Sequence, residues 1–322
     1  ASACGMENKM RKKWIRGGIF LCLVLLLLSN LNRILCVKSP HGIDQTRYLY
    51  VQPKNKIDVL FLGSSHVHCN VNTQPLWNSY YNLKEALKTQ KPKLVVLDMF
   101  CPSRFYDDFQ PGWADENLDG MRISLNKLEA VYTSVQEEQS HFFLGFTEYH
   151  SRYDQLTTED FQNFVWNRKT QERWKGYTPL KRHAELTEPD MSHVTTSQEM
   201  TEKSKEYFEK IVELTKKEGI TLALISGPYL LEERDQEVYN SIGQLAEKDG
   251  LLFWNTNTPA HYREMGLDFS TDYADHAHLN EAGGAKYTAY LGKWLSQNYS
   301  FPDRRGQKGY ESWENQLMKS GE

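Results

Sequence analysis

The chain has 322 residues, a net charge of −4 and 12% aromatic residues. That length suits one large α/β domain or two small ones, and the charge gives no sign of the basic surface that a nucleic-acid partner requires. The five cysteines are scattered, which excludes a readable disulfide framework and a C-x-x-C zinc site.

A short apolar segment near the N-terminus predicts a membrane anchor. Its uncharged part runs from Gly17 to Asn32, directly after a basic cluster. Extending it to Val37 reaches the roughly 20 residues that a span needs, with Arg33 snorkelling to the interface. No A-x-A cleavage site follows, which favours a signal anchor over a cleaved signal peptide. We expect a single-pass plasma-membrane protein that contacts the lipid bilayer through residues 17–37, with a cytoplasmic N-terminus and an extracellular remainder.

Buried strands and amphipathic helices alternate through much of the remaining chain. Apolar runs predict three buried strands, at 57–62, 94–99 and 220–228, and a short fourth strand at 251–255. Apolar residues at helical spacing predict four helices, at 74–90, 196–217, 235–250 and 280–298. This alternation predicts an α/β fold with a mainly parallel sheet and helices on both faces, and with ligands at the carboxyl ends of the strands.

Three segments fall outside this alternation. Residues 101–195 are rich in polar and aromatic residues, and we interpret them as an insertion or lid with a few helices. Residues 301–322 predict a loose polar tail. The first five residues precede Met6 and resemble an expression remnant, so the basic segment and signal anchor are assigned to residues 6–38.

Two polar motifs stand near opposite ends of the α/β region. G-S-S-H at 63–66 ends the first strand, and Asp275 precedes His278 by three residues just before the last helix. A carboxylate at that spacing can orient a histidine through Nδ1, which leaves the other ring nitrogen to take a proton from a hydroxyl. A serine hydroxyl is inert without such a base. The two motifs together predict nucleophilic catalysis by a serine. Small residues in the first turns of that helix, 283–285, predict close packing against a neighbour.

The same histidines are compatible with a metal site. His66 with His68, and His276 with His278, form two H-x-H pairs that could bind zinc together with Asp275. Alternate residues of an extended segment point to opposite sides, which makes joint ligation less direct. Because His278 has the better spacing to Asp275, His276 is expected to be exposed.

Three other polar residues have plain structural interpretations. Asp272 is a rival to Asp275, with a surface or capping role expected. Asp98 stands inside an apolar strand and is expected to satisfy a neighbouring loop. Ser64 has an alternative role as a turn residue.

G-S-S followed far along the chain by D-x-x-H-L-N-x-x-G resembles the SGNH/GDSL hydrolase superfamily, and its membrane-anchored DltD-like branch in particular. The resemblance covers most of 55–296 apart from the insertion. It implies a three-layer α/β/α, flavodoxin-like SGNH domain over 39–300, preceded by one membrane helix. It also implies a catalytic triad of Ser65, His278 and Asp275, and it calls for no cofactor and no metal.

The resemblance also implies a biological role. Members of that branch work with membrane-bound O-acyltransferases, so such an enzyme is the expected partner. The implied substrates are O-acyl groups, acetyl or D-alanyl, of a cell-surface polysaccharide or teichoic acid. Two alternatives stay open: a zinc-dependent hydrolase that uses the H-x-H pairs, and a non-catalytic scaffold of a cell-wall acylation complex.

The chain departs from the family at the oxyanion hole. The family supplies donors from a glycine after its second strand and an asparagine after its third. Residues 70–77 leave no room for a helix and a second strand, and C-P-S-R at 101–104 contains no asparagine. We expect the backbone N–H of Ser65 as one oxyanion donor. The other oxyanion or substrate-binding candidates are Ser64, His66, Ser103 and Arg104.

Overall fold

The computed structural model describes residues 3–36, 42–64, 75–103, 111–135, 139–143, 149–162 and 175–313. Its α-helices are α1 Ala3–Leu35, α2 Ile43–Leu49, α3 Leu76–Leu87, α4 Phe100–Ser103, α5 Pro111–Leu118, α6 Leu125–Ser134, α7 Thr158–Gln162, α8 Glu202–Glu218, α9 Glu233–Asp249, α10 Pro259–Met265 and α11 Glu281–Asn298. Two 3₁₀ helices cover Gln139–Phe142 and His150–Asp154. The strands are β1 Val59–Leu62, β2 Leu94–Asp98, β3 Thr221–Ser226, β4 Leu252–Asn255, β5 Tyr273–Asp275 and β6 His278–Leu279.

The main sheet is four-stranded and parallel, in the order β1-β2-β3-β4. The predicted α/β class and parallel sheet are therefore confirmed. β2 is buried along its whole length, but β1 is only partly buried at three of its four positions. The prediction that β1 is buried on both faces is wrong because β1 is an edge strand, paired on one side only among the described residues.

The two faces of the sheet bury separate apolar clusters. Side chains alternate across a strand, and Val95 and Leu97 of β2 join a cluster with residues of α3, α8 and α9. Val96 on the other face joins a second cluster, against which Trp294 and Leu295 of α11 pack. Apolar side chains on both faces explain why β2 reads as a continuous hydrophobic run.

Local capping signals set most helix ends where the sequence predicted them. Gly219 and Gly250 adopt the left-handed conformation that ends α8 and α9, and Asn280 caps the start of α11 by accepting from two backbone N–H groups. The predicted start of α8 at 196 is wrong. Thr201 is the N-cap, and its side chain accepts from the N–H of Ser204.

Part of the region interpreted as an insertion is built into the main core. Ala114 and Leu118 of α5, and Ala130 and Val131 of α6, belong to the same apolar cluster as β2. All four are 0% exposed. These helices therefore stabilise the sheet domain.

The prediction of a loose tail is wrong for residues 301–313. Arg304 makes two hydrogen bonds to the carboxylate of Asp58, at 2.7 and 2.8 Å, and Tyr310 is buried with the Lys56 ammonium 4.8 Å from its ring centroid. A bidentate arginine–carboxylate pair fixes geometry as well as charge, so this segment is docked beside β1.

Helix α1 is long and apolar enough to cross a membrane, by length and composition. Signal sequences near an N-terminus have the same character. The end of α1 is held against the rest of the protein: Leu35 and Cys36 are buried, Arg152 donates to the Leu35 carbonyl, and Arg47 donates to Cys36 Sγ at 3.1 Å.

Candidate active site

A two-stranded hairpin places Asp275 directly opposite His278. β5 and β6 are antiparallel, and Asp275 pairs with His278 across the two intervening residues. The D-x-x-H spacing is thus the spacing of a two-residue hairpin loop. His278 Nδ1 lies 2.7 Å from Asp275 Oδ1, and both side chains are partly buried, 14% and 27% exposed.

The carboxylate of Asp275 accepts from two further donors. The backbone N–H of Ala277 donates to Oδ1 at 2.9 Å, and the guanidinium of Arg182 donates to Oδ2 at 2.9 Å. Partial burial raises the pKa of Asp275. The hydrogen bonds from His278 and Ala277, together with the charges of His278 and Arg182, outweigh it and lower that pKa to about 2.

These bonds decide the role of each ring nitrogen of His278. At neutral pH Asp275 is ionised and only accepts hydrogen bonds, so Nδ1 must carry the proton that lies between them. In a neutral imidazole with a protonated Nδ1, Nε2 is the basic nitrogen. The hairpin therefore presents a histidine in the tautomer of a general base.

Backbone contacts hold this hairpin at the carboxyl end of the main sheet. The N–H of Leu230, four residues after β3, donates to the His276 carbonyl at 2.9 Å. On the other side, the N–H of Ala184 donates to the Tyr273 carbonyl at 2.8 Å. The hairpin is thus fixed between the β3 loop and the segment that carries Arg182.

Gly283 lets α11 approach the start of the hairpin closely. A Cβ at this position would lie 2.2 Å from the carbonyl oxygen of Asp272, far inside van der Waals contact. The small residues predicted to allow close helix packing do so here. Any larger residue would displace α11 or the strand that leads to Asp275.

The serine-containing turn lies after β1, at the carboxyl end of the same sheet. Gly63 has a φ of 152°, a conformation that L side chains rarely adopt. Ser64 is 0% exposed, and its hydroxyl donates to Asp98 Oδ2 at 2.7 Å while its N–H donates to the same oxygen at 3.3 Å. This contact is the loop-satisfying role expected for Asp98, and it holds the Ser64 hydroxyl inside the protein.

The environment of Asp98 is the opposite of that of Asp275. Burial raises its pKa to about 6, and the hydrogen bonds from Ser64 only partly offset that effect. The side chain is 3% exposed. Asp98 therefore ties the ends of β1 and β2 together.

Four of the candidate residues lie outside the described residues: Ser65, His66, His68 and Arg104. Ser103 is described and is 0% exposed. Its hydroxyl donates to the Phe100 carbonyl at 2.6 Å and lies 3.4 Å from the hydroxyls of Tyr229 and Tyr239. Ser103 thus belongs to a buried polar network below the carboxyl end of the sheet.

The structure also describes His276 and Asp272, for which the sequence predicted roles outside catalysis. His276 is exposed, as expected. Asp272 is 2% exposed, so the predicted surface role is wrong: it pairs with Lys286 at 2.6 Å and accepts from the N–H of Asp268 at 2.7 Å. Within the described ranges, no group of three or more histidine, cysteine, aspartate or glutamate side chains is arranged to hold a metal.

Arg182 is the site residue that sequence reasoning missed. It comes from the segment interpreted as insertion or lid, 93 positions before Asp275. The sequence places it among several basic residues, and no spacing rule connects it to the D-x-x-H motif. Only the backbone pairing of this segment with β5 brings the two charges together.

A cavity of about 1240 Å³ runs beside the outer edge of β1 and reaches Gly63. Its described lining includes Phe61 and Leu62 of β1 and Gly284 and Ala285 of α11. Asp275 and His278 are not among those described lining residues. The cavity thus lies next to the serine turn, and the Asp–His pair lies outside it.

Neither a family model nor a curated protein matches the chain.

Proposed function

We propose that the protein is a membrane-anchored serine esterase or acyltransferase of the SGNH type, with Ser65 as nucleophile, His278 as general base and Asp275 as its orienting carboxylate. The observation that carries this proposal is the 2.7 Å contact of Asp275 Oδ1 with His278 Nδ1. It lies at the carboxyl end of the sheet, the end at which β1 also enters the glycine–serine turn.

The structure favours Ser65 over Ser64 as the nucleophile. The Ser64 hydroxyl is buried and donates to Asp98, so its attack on a substrate would break that bond and leave a buried carboxylate without it. Ser65 is the neighbouring residue in the G-S-S motif, and the family resemblance assigns the nucleophile to the second position after the glycine.

The proposed reaction has two steps. The Ser65 oxygen attacks the acyl carbon while His278 Nε2 takes the hydroxyl proton, and the leaving alcohol departs with that proton as the acyl-enzyme forms. His278 then deprotonates an acceptor, either water or a polymer hydroxyl, whose oxygen attacks the acyl-enzyme and releases Ser65 with its proton. Asp275 stays ionised throughout and stabilises the imidazolium.

The expected oxyanion donor is the backbone N–H of Ser65. Ser103 is buried, and its hydroxyl already donates to the Phe100 carbonyl. It is therefore better suited to stabilise the chain after β2 than to donate to the reacting oxygen. Loss of one oxyanion donor costs on the order of 3 kcal/mol of transition-state stabilisation, so a second donor is required for full activity.

The proposal also covers the layer arrangement, the membrane topology, the substrate and the partner. The three-layer SGNH arrangement is supported by apolar residues on both sheet faces. The basic cluster in the first half of α1, which ends at Arg16 just before the apolar segment, supports a cytoplasmic N-terminus and an extracellular domain. Within the family resemblance, the acyl groups are acetyl or D-alanyl groups of a surface polysaccharide or teichoic acid, and a membrane-bound O-acyltransferase is the partner.

Labelling of the full chain with a fluorophosphonate probe tests the nucleophile. Wild type should be labelled, and peptide mass spectrometry should place the adduct on Ser65. Ser65→Ala should lose both the label and acyl release from purified wall polymers, whereas the control Ser296→Ala, an exposed serine of α11, should keep both. Undiminished acyl release by Ser65→Ala would reject the mechanism. If Ser65→Ala with His278→Ala keeps its role in cells, the protein is a scaffold.

A further inference from the structure

The end of α1 contacts two short elements of the domain. Leu35, the last residue of α1, is 6% exposed, and its carbonyl accepts from Arg152 in the 3₁₀ helix His150–Asp154. Arg152 also pairs with Asp160 of α7 at 3.2 Å. Arg152 therefore links the last turn of α1 to both the 3₁₀ helix and α7.

Both elements expose a large aromatic side chain. Tyr153 is 73% exposed and Phe161 is 56% exposed. Each is adjacent in sequence to one member of the Arg152–Asp160 pair that binds the end of α1. The two rings thus stand on the same small platform, which we call the α1 platform and define as residues 150–162.

The length of the apolar segment places this platform at the membrane surface. A hydrocarbon core of about 30 Å is crossed by about 20 helical residues. If the span starts at Gly17, after the last residue of the basic cluster, it ends close to Leu35. Whatever contacts Leu35 from the domain side then lies at the level of the lipid headgroups.

We infer that the α1 platform docks on the bilayer that α1 crosses, with Tyr153 and Phe161 inserted among the lipid headgroups. This inference rests on the membrane anchor of the proposed function. Tyrosine favours the membrane–water interface because its ring is apolar and its hydroxyl is polar, and an exposed phenylalanine ring gains free energy by leaving water for the boundary between headgroups and acyl chains. Docking at two rings beside the anchor would restrict the tilt of the domain, so that the Asp275–His278 hairpin keeps a constant height above the lipid.

Photo-crosslinking in the full-length chain tests the docking. Tyr153, Phe161 or, as control, exposed Glu213 of α8 is replaced by p-benzoylphenylalanine, and each protein is reconstituted in phosphatidylglycerol–phosphatidylethanolamine liposomes that carry alkyne-tagged lipid. Illumination should attach lipid to positions 153 and 161 several-fold more than to position 213. Equal attachment at all three positions overturns the inference.

A second measurement removes the aromatic rings. With p-benzoylphenylalanine at exposed Gln155, the double variant Tyr153→Ser, Phe161→Ser should lose most of its lipid attachment. Unchanged attachment would mean that α1 alone brings position 155 to the lipid, and it overturns the role of the rings.

The outcomes separate docking from the proposed function. Release of the chain from liposomes by alkaline carbonate overturns the anchor, and the docking with it. Retention of the chain without attachment at 153 and 161 overturns the docking only. Because lipid attachment does not require turnover, Ser65→Ala should attach lipid like wild type, even where the esterase proposal fails.

Discussion

Two aspartates at the carboxyl end of the sheet region have pKa values that are shifted in opposite directions. Asp275 ends β5, and its pKa is lowered to about 2. Asp98 ends β2, and its pKa is raised to about 6. Asp275 accepts hydrogen bonds from His278, Ala277 and Arg182, and Asp98 accepts from Ser64 and from the backbone of Met99 and Phe100, so the number of bonds does not explain the difference.

Burial and the charge of the donors explain it. Asp275 is partly exposed and is bonded by a histidine and an arginine, which favour its ionised form. Asp98 is buried and is bonded by the neutral hydroxyl and N–H of Ser64, which cannot offset the loss of water. The first carboxylate is suited to stabilise a positive charge that forms during a reaction, and the second is suited to hold a turn.

The largest expected effect comes from Asp275→Asn. An asparagine can donate to Nδ1 and so select the wrong tautomer of His278, and this change lowers kcat by about 10⁴-fold in triad enzymes. Hydrolysis of p-nitrophenyl acetate by the full chain measures it. The matched control is Asp303→Asn, which removes a carboxylate whose pKa is also about 2 but which pairs with Arg305. Equal losses in both variants would remove Asp275 from the mechanism.

Asp98→Asn should change stability and its pH dependence. Because the folded pKa is about 6 and the ordinary value is 3.8, the folded protein binds more protons than the unfolded chain between those values. Wild type should therefore lose stability as pH rises through this window, by on the order of 3 kcal/mol. The asparagine can still accept from Ser64 and should remove the loss. Urea unfolding in detergent at several pH values measures the difference, and identical slopes for the two proteins would contradict it.

The two carboxylates also predict pH dependences of opposite sign in separate pH windows. The stability that ionised Asp275 contributes is present above its ordinary pKa of 3.8 and is lost as pH falls toward about 2. This window lies below that of Asp98. Because Asp303 also has a pKa of about 2, the slopes are assigned by comparing the stability profiles of Asp275→Asn and Asp98→Asn with that of wild type.

Gly283→Ala tests the contact that positions the hairpin. A Cβ would lie 2.2 Å from the Asp272 carbonyl, and such overpacking costs about 1–3 kcal/mol. Gly292→Ala is the control in the same helix, because nothing lies within 4 Å of its added Cβ, and it should stabilise α11 by about 0.5–1 kcal/mol. Thermal unfolding should give opposite signs for the two variants. A Gly283→Ala variant as stable as wild type, or more stable, would mean that α11 is not tightly fixed against Asp272.

Local patterns in the sequence predicted the regular strands and helices of this structure. Continuous apolar runs gave β2 and β3, and glycines or capping residues gave the ends of α9 and α11, because these signals act within one turn or strand. The D-x-x-H spacing likewise fits a two-residue hairpin. Each of these features depends on neighbours in the sequence.

Contacts between distant segments could not be predicted in this way. Arg304 meets Asp58 from 246 positions away, and Arg182 meets Asp275 from 93 positions away. Nothing in the sequence around either arginine identifies its carboxylate. The partial exposure of β1 was missed for a related reason, since an edge strand and a central strand have the same apolar run.

Arg182→Gln should have the smallest effect, and it separates orientation from catalysis. Arg182 is 61% exposed, and exposed ion pairs contribute about 0–1 kcal/mol, so kcat should fall by less than about tenfold. Loss of the guanidinium charge should raise the pKa of Asp275, because that charge helps to lower it. The carboxyl ¹³C NMR titration of Asp275 should therefore move to higher pH, while KM for a small ester stays constant. A loss as large as that of Asp275→Asn, or a large rise in KM, would mean that the guanidinium contacts the substrate and does more than hold the carboxylate.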